Sequence, residues 1–169
     1  MKLLLFFFAP FIFFILPSFV LADMVYGRVI GVSDGDTISI LDSSNKQFKV
    51  RLSGIDAPEK KQPFGNVSKK SLSDLAFNAQ ATVYWHKEDR YQRLIGKVFV
   101  NGIDINLEQI KRGMAWFYVK YKSELSDQDQ YSYSISESYA KDQRIGLWVD
   151  ENPIPPWDFR AEKRNKSKD

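Results

Sequence analysis

The chain has 169 residues, 44% hydrophobic and 15% aromatic, which suits one folded domain with short ends and excludes global disorder. It has no cysteine, which excludes disulfides and thiolate metal sites, and a lone histidine, His86, which excludes a multi-histidine zinc site. A formal charge of +3, to which residues 1–22 contribute only Lys2, is mildly basic and does not by itself indicate nucleic acid.

The N-terminus reads as a targeting segment. Lys2 precedes an almost unbroken apolar run from Leu3 to Val20, and Ala22 offers a small residue just before Asp23. A run of this length could also stay uncleaved as a membrane anchor, but Pro10, Pro17 and the Ala22 site favour a cleaved signal over residues 1–22. Either way the domain is expected to be exported, periplasmic or secreted. It is expected to span residues 23–158 and to be followed by a charged tail, 159–169, with no reason to be ordered.

From Val25 the pattern is that of β-structure. Met24 to Val32 carries Gly27 and Gly31, which predicts a bent or bulged first strand. Asp34-Gly35-Asp36-Thr37 is a turn, Ile38 to Leu41 a second strand, and Gln47 to Ile55 a third, joined through Asp42-Ser43-Ser44-Asn45. A hairpin closing symmetrically about Ser43-Ser44 would set position 36 opposite position 51. A polar loop over 57–67 leads to a helix from about Ser68 to Asn78, with Leu72, Leu75, Ala76 and Ala79 at helical spacing. Ala81, Val83 and Trp85 alternate with polar neighbours as a fourth strand, and Leu94 to Val100 is a fifth, closed by Asn101-Gly102. A second helix is expected over about Asn106–Arg112 with Asn106 as its cap, and a third over Ser126–Arg144 with Tyr131, Ile135 and Tyr139 on one side. Pro153 to Trp157 reads as extended, packing through Trp157. Together these predict an α+β, mainly β domain: a five-stranded barrel of the oligonucleotide/oligosaccharide-binding (OB) type with three helices.

The chemistry concentrates in Val50-Arg51-Leu52-Ser53-Gly54-Ile55-Asp56-Ala57-Pro58-Glu59. A strand ends here in a tight loop; Pro58 stops ladder pairing and holds Ala57 out of the helical region. A cation and two anions crowd this strand end, an arrangement that suits a metal and a phosphate held side by side. Each motif has a plainer reading alone. Asp34 to Thr37 could be only a turn, Arg51 with Asp56 a structural ion pair, and Arg93 a solvated charge. Their joint occurrence points to a site.

Asp34-Gly35-Asp36-Thr37, then Val50 through Glu59, then Asp89-Arg90-Tyr91-Gln92-Arg93, resemble the staphylococcal nuclease (thermonuclease) family in order and spacing. Asn106, Gly113-Met114-Ala115-Trp116 and Gly146-Leu147-Trp148 fit the same pattern. The resemblance covers nearly all of residues 25–158 and implies a calcium-dependent nuclease that hydrolyses DNA and RNA. It implies that Asp36, Asp56 and the carbonyl of Ala57 bind Ca2+, and that Glu59 is the general base. Arg51 and Arg93 match the phosphate-gripping arginines, and Arg90 and Tyr91 line the nucleotide's terminal phosphate. Ala57 stands where the best-known member has threonine, and Gln92 replaces a glycine. Tyr118 and Tyr121 are both candidates for stacking on a base. A monomer with no stable protein partner is expected. Two other readings stand beside this one: a non-catalytic OB barrel binding nucleic acid or another anion, and a nuclease tethered to a membrane through residues 3–20.

Overall fold

A computed structural model describes residues 23–166; the N-terminal run and its expected cleavage site at Ala22 lie outside the described residues. The first half contains β1 (Asp23–Asp34), β2 (Thr37–Leu41), β3 (Gln47–Leu52), the two-residue β4 (Ile55–Asp56) and helix α1 (Gly65–Ala76). There follow β5 (Gln80–Glu88), β6 (Leu94–Val100), the short β7 (Ile103–Asp104), α2 (Ile105–Lys111) and the short β8 (Trp116–Phe117). Helices α3 (Asp127–Asp142) and α4 (Pro156–Lys166) complete the chain, with 3-10 turns at Val119–Glu124 and Gly146–Val149.

The five long strands close into the expected barrel, in the order β3-β2-β1-β5-β6 with β3 paired to β6. β1 serves two neighbours because it bends. Its residues 28–34 pair with β2 and residues 23–28 with β5, with register shifts between Val29 and Gly31 and between Val32 and Asp34. That is the bulged first strand the glycines predicted. β3 and β6 run parallel and close the barrel through Val50↔Leu94, Arg51↔Ile95 and Leu52↔Gly96. Side chains alternate along β3, so Val50 and Leu52 are buried in the barrel while Arg51 points out of it. Val29, Ile38, Ile40, Val83 and Val98 fill the interior, closed on one side by Leu72 and Ala76 of α1. Tyr133 of α3 is fully buried and meets Phe117 edge-on at 6.1 Å. A second cluster gathers Trp116, Ala140, Leu147 and Trp148 under Trp157.

The hairpin register differs by one residue from the symmetric closure. Thr37, not Asp36, lies opposite Arg51. The connection is longer than a two-residue turn because Asp42 Oδ1 accepts from the backbone N–H groups of both Ser44 and Lys46, and Asn45 takes φ +63°. Asp36 still reaches β3, since its carbonyl accepts from Leu52 N at 2.9 Å.

Asn106 is not a helix cap. Asp104 caps α2, accepting from Leu107 N at 3.1 Å, and Asn106 is fully buried in its first turn. Its amide accepts from Val98 N and donates to Ser53 O and Gly96 O. One helical turn on, the buried amide of Gln109 donates to Gly35 O at 2.7 Å and to Ser68 O. These two amides on one face of α2 therefore pin the loop after Arg51 and the turn before Asp36.

The third helix forms as expected with Ser126 as its cap, accepting from Asp129 N. Its Tyr131, Ile135 and Tyr139 face solvent, and Tyr133 and Ala140 are the buried positions. The largest departure is at the C-terminus. The tail read as unstructured is a fourth helix, α4, running to Lys166. Pro156 opens it with a φ already suited to a helix, while Asp158 in its first turn and Lys163, Arg164 and Lys166 in its last complement the helix dipole. No helix among the described residues is long and apolar enough to cross a membrane.

Asn106→Ala removes an amide whose three partners are backbone groups in the core, and leaving buried groups unpaired costs about 1–3 kcal/mol each. We expect urea unfolding to show a loss of roughly 2–3 kcal/mol with the fold retained. A change within experimental noise would mean that α2 does not pin the loop.

Candidate active site

The ends of β1, β3, β5 and β6 open on one side of the barrel into a cleft of about 850 Å³. All eight residues singled out from the sequence line it: Asp36, Arg51, Asp56, Ala57, Glu59, Arg90, Tyr91 and Arg93. They fall on two walls.

The first wall is a ladder of alternating charge. Arg51 bridges the two buried aspartates, with Nη1 2.9 Å from Asp36 Oδ2 and Nη2 2.8 Å from Asp56 Oδ1. Arg51 Nη1 also donates to the carbonyls of Ile55 and Leu52, which sets its plane. Asp36 Oδ2 accepts from Ala57 N at 2.7 Å, and Oδ1 accepts from Thr37 Oγ1. Asp36 and Asp56 are only 5% and 1% exposed, so their charges are removed from water. Burial pushes the Asp36 carboxyl above the ordinary carboxylate range; Arg51 opposes the rise, and Asp34 and Asp56 add to it. The ladder continues through Arg160 of α4, whose Nη2 lies 2.7 Å from Asp56 Oδ2 and whose Nη1 lies 2.8 Å from Glu59 Oε1.

The second wall is the loop between β5 and β6. Asp89 organises it: Oδ1 accepts from Tyr91 N and Arg93 N, and Oδ2 accepts from Arg93 Nε at 2.8 Å. Burial raises the Asp89 carboxyl, but hydrogen bonds from the Arg93 side chain and from the two backbone N–H groups outweigh it and hold it below the usual range. Arg90 and Arg93 both sit over the Tyr91 ring, at 4.8 and 5.5 Å from its centroid. Gln92 takes φ +58°, a left-handed conformation that glycine adopts at the least cost. Tyr118 and Tyr121 close the end of the cleft, edge to face at 4.9 Å. One face of Tyr118 is stacked on Trp157 at 5.2 Å.

Arg160 is the residue sequence reasoning passed over, because it lay in a run read as a solvated tail. The signal was there in Pro155-Pro156-Trp157: a proline at the first helical position, an aromatic anchor, then helix formers.

The donor set fits a hard divalent cation. Asp36, Asp56 and the Ala57 carbonyl offer oxygens only, as calcium and magnesium prefer, and no sulfur or imidazole that would suit zinc. No group of three or more acidic, histidine or cysteine side chains among the described residues gathers closely enough to hold an ion. Two carboxylates and a carbonyl would therefore leave several positions to water or phosphate.

Arg51→Ala would take from buried Asp36 its bonded cation and leave Asp56 to Arg160, and breaking a buried pair this way is strongly destabilising. In chelator we expect a loss of about 3 kcal/mol in denaturant unfolding, larger than for any exposed pair. A loss below about 1 kcal/mol, the range of surface salt bridges, would mean the aspartates do not depend on Arg51.

Residues 49–150 match the family described as Staphylococcal nuclease homologue. An uncharacterized endonuclease of Haemophilus influenzae is 43% identical over 137 residues, 81% of this chain and 74% of that protein. An uncharacterized endonuclease of Escherichia coli O157:H7 is 37% identical over 155 residues, 91% of this chain and 97% of its own. A micrococcal nuclease of Shigella flexneri is 36% identical over 148 residues, covering 82% of each chain. With the OB barrel and the cleft at its strand ends, these similarities make the chain a nuclease that belongs to the staphylococcal nuclease family.

Proposed function

We propose that this nuclease is exported and hydrolyses phosphodiester bonds of DNA and RNA with low sequence specificity, in a calcium-dependent reaction. The observation that carries the reading is the pair of buried aspartates bridged by Arg51 at the floor of the cleft, opposite Arg93. The lining supports low specificity: cations and tyrosines suit phosphates and the face of any base. The apolar run ending at Ala22 supports export.

Asp36, Asp56 and the Ala57 carbonyl would hold the ion. When bound, calcium supplies positive charge to the phosphodiester as it takes on negative charge. Arg51, held on Asp36 and Asp56, and Arg93, held on Asp89, would turn guanidinium N–H groups to the phosphate oxygens and orient the phosphorus for attack. Arg90 and Tyr91 flank that grip at the rim. Glu59 takes a proton from the attacking water as the new P–O bond forms, and the bond to the leaving oxygen breaks. Glu59 suits this role because it is 41% exposed at the cleft, so water reaches it, while Asp36 and Asp56 are buried.

Single-stranded and duplex DNA and RNA should be cleaved in calcium and spared in chelator. Magnesium, which demands near-ideal octahedral geometry, should support little or no turnover. Full activity in chelator would overturn the reading. Glu59→Gln should fold normally and lose about 10²–10⁴-fold in kcat, the usual contribution of a general base. Near-parental turnover would take the base from Glu59. Arg93→Lys keeps its charge but not the fork and should lose at least about tenfold in kcat/KM; a fully active lysine variant would reduce Arg93 to a surface charge.

A further inference from the structure

We propose that Arg160 is a positioning residue for Glu59, and that α4 is therefore part of the catalytic apparatus. The inference rests on Glu59 being the base. Helix α4 lies beyond residue 150, where the family match ends.

A base on a polar loop must be held close to its productive geometry if proton transfer is to be efficient. Glu59 follows Pro58 in such a loop, and its carboxylate is bound by Arg160 at 2.8 Å. Arg160 is itself fixed. Nη1 and Nη2 lie 3.2 and 2.7 Å from the two oxygens of Asp56, a bidentate grip on a carboxylate that is 1% exposed and held from the other side by Arg51. A planar fork with both arms on a buried anion and one of them also on the base is a rigid bracket, which a lysine cannot reproduce.

The helix that carries the bracket is anchored by separate contacts. Trp157 stacks on Tyr118 with rings 2° from parallel and meets Trp116 at 6.5 Å. Buried Gln62 ties the two segments together: its Oε1 accepts from Glu59 N, and its Nε2 donates to the carbonyl of Ile154, just before α4. The backbone of Glu59 and its carboxylate are thus both fastened to the C-terminal segment. An exposed pair formed by a loose tail would show neither a buried bidentate partner nor a glutamine strut.

The test compares the parent, Arg160→Gln, Arg160→Lys, Glu59→Gln and the double variant R160Q/E59Q in saturating calcium, using a single-stranded DNA oligonucleotide. Calcium binding is measured by calorimetry without substrate, and folding by thermal unfolding. R160Q should lose about 10- to 100-fold in kcat with little change in KM, and R160K should recover part of that loss. In the E59Q background R160Q should cost nothing further, because the group it positions is gone. Calcium should bind R160Q at least as tightly as the parent, since a cation beside Asp56 has been removed. If R160Q does not fold, Arg160→Met, which keeps the packing of the stem, takes its place.

A parental kcat for R160Q, or its full cost reappearing in the E59Q background, would overturn the inference. A faster R160Q with tighter calcium would also overturn it, making Arg160 a latch that holds the carboxylates closed. A nearly active E59Q would bring down the reading of Glu59 as base and this inference with it. An inactive E59Q beside an unaffected R160Q would bring down the inference alone.

Discussion

Two buried aspartates repel each other unless a cation lies between them or one carboxyl keeps its proton. Asp36 and Asp56 are both almost wholly withdrawn from water, and Arg51 lies across them with one nitrogen on each. Burial raises the cost of every charge, mutual repulsion adds to it, and the Arg51 guanidinium opposes both. Arg51 can be fixed there because it sits on β3, the strand that closes the barrel against β6, with its apolar neighbours Val50 and Leu52 locked in the core. The charged bridge is thus mounted on a strand paired on both sides.

The remaining parts of the fold hold the loops that bring anions to that strand. Asn106 and Gln109, one helical turn apart on α2, bond Ser53 O and Gly35 O, fixing the loop toward Asp56 and the turn toward Asp36. Buried amides serve here because they can satisfy backbone groups that no sheet reaches. Across the cleft, Asp89 folds its own loop around its carboxylate and holds Arg93 by two of its nitrogens. The acidic wall is therefore already matched by guanidinium groups. In the proposed reaction a divalent cation would meet carboxylates whose geometry these bonds already set.

Much of this was legible in the sequence, and where it was not, the reasons are physical. Alternation over residues 81–86 and 94–100 and glycines at the bends of β1 specified the barrel, because strand faces and bulges leave local marks. The contact of Asp36 with Arg51 survived a one-residue register error, because the Asx turn at Asp42 shifts the hairpin without moving its open end out of reach. Asn106 was misread because a cap and a buried amide look alike when both precede an apolar run; only the tertiary partners separate them. Tyr131, Ile135 and Tyr139 share a helical face, but that face is exposed, and the core takes Tyr133 instead. α4 was missed for the deepest reason. Its composition is that of a solvated tail, and its place is set by Trp157 and by salt bridges to residues about a hundred positions earlier.

The central claim of the proposed function is that Asp36 and Asp56 would hold calcium, their charge balanced by arginine. Its most direct test is thermal unfolding without substrate, across a calcium titration, for the parent and Asp36→Asn. A ligand that binds the folded state raises stability by mass action, so the parent midpoint should climb steadily with the logarithm of calcium concentration. Asp36→Asn keeps the shape and an acceptor but loses one of the two charges, so its midpoint should climb far less. A parent indifferent to calcium, or a variant that climbs in step with it, would contradict the account.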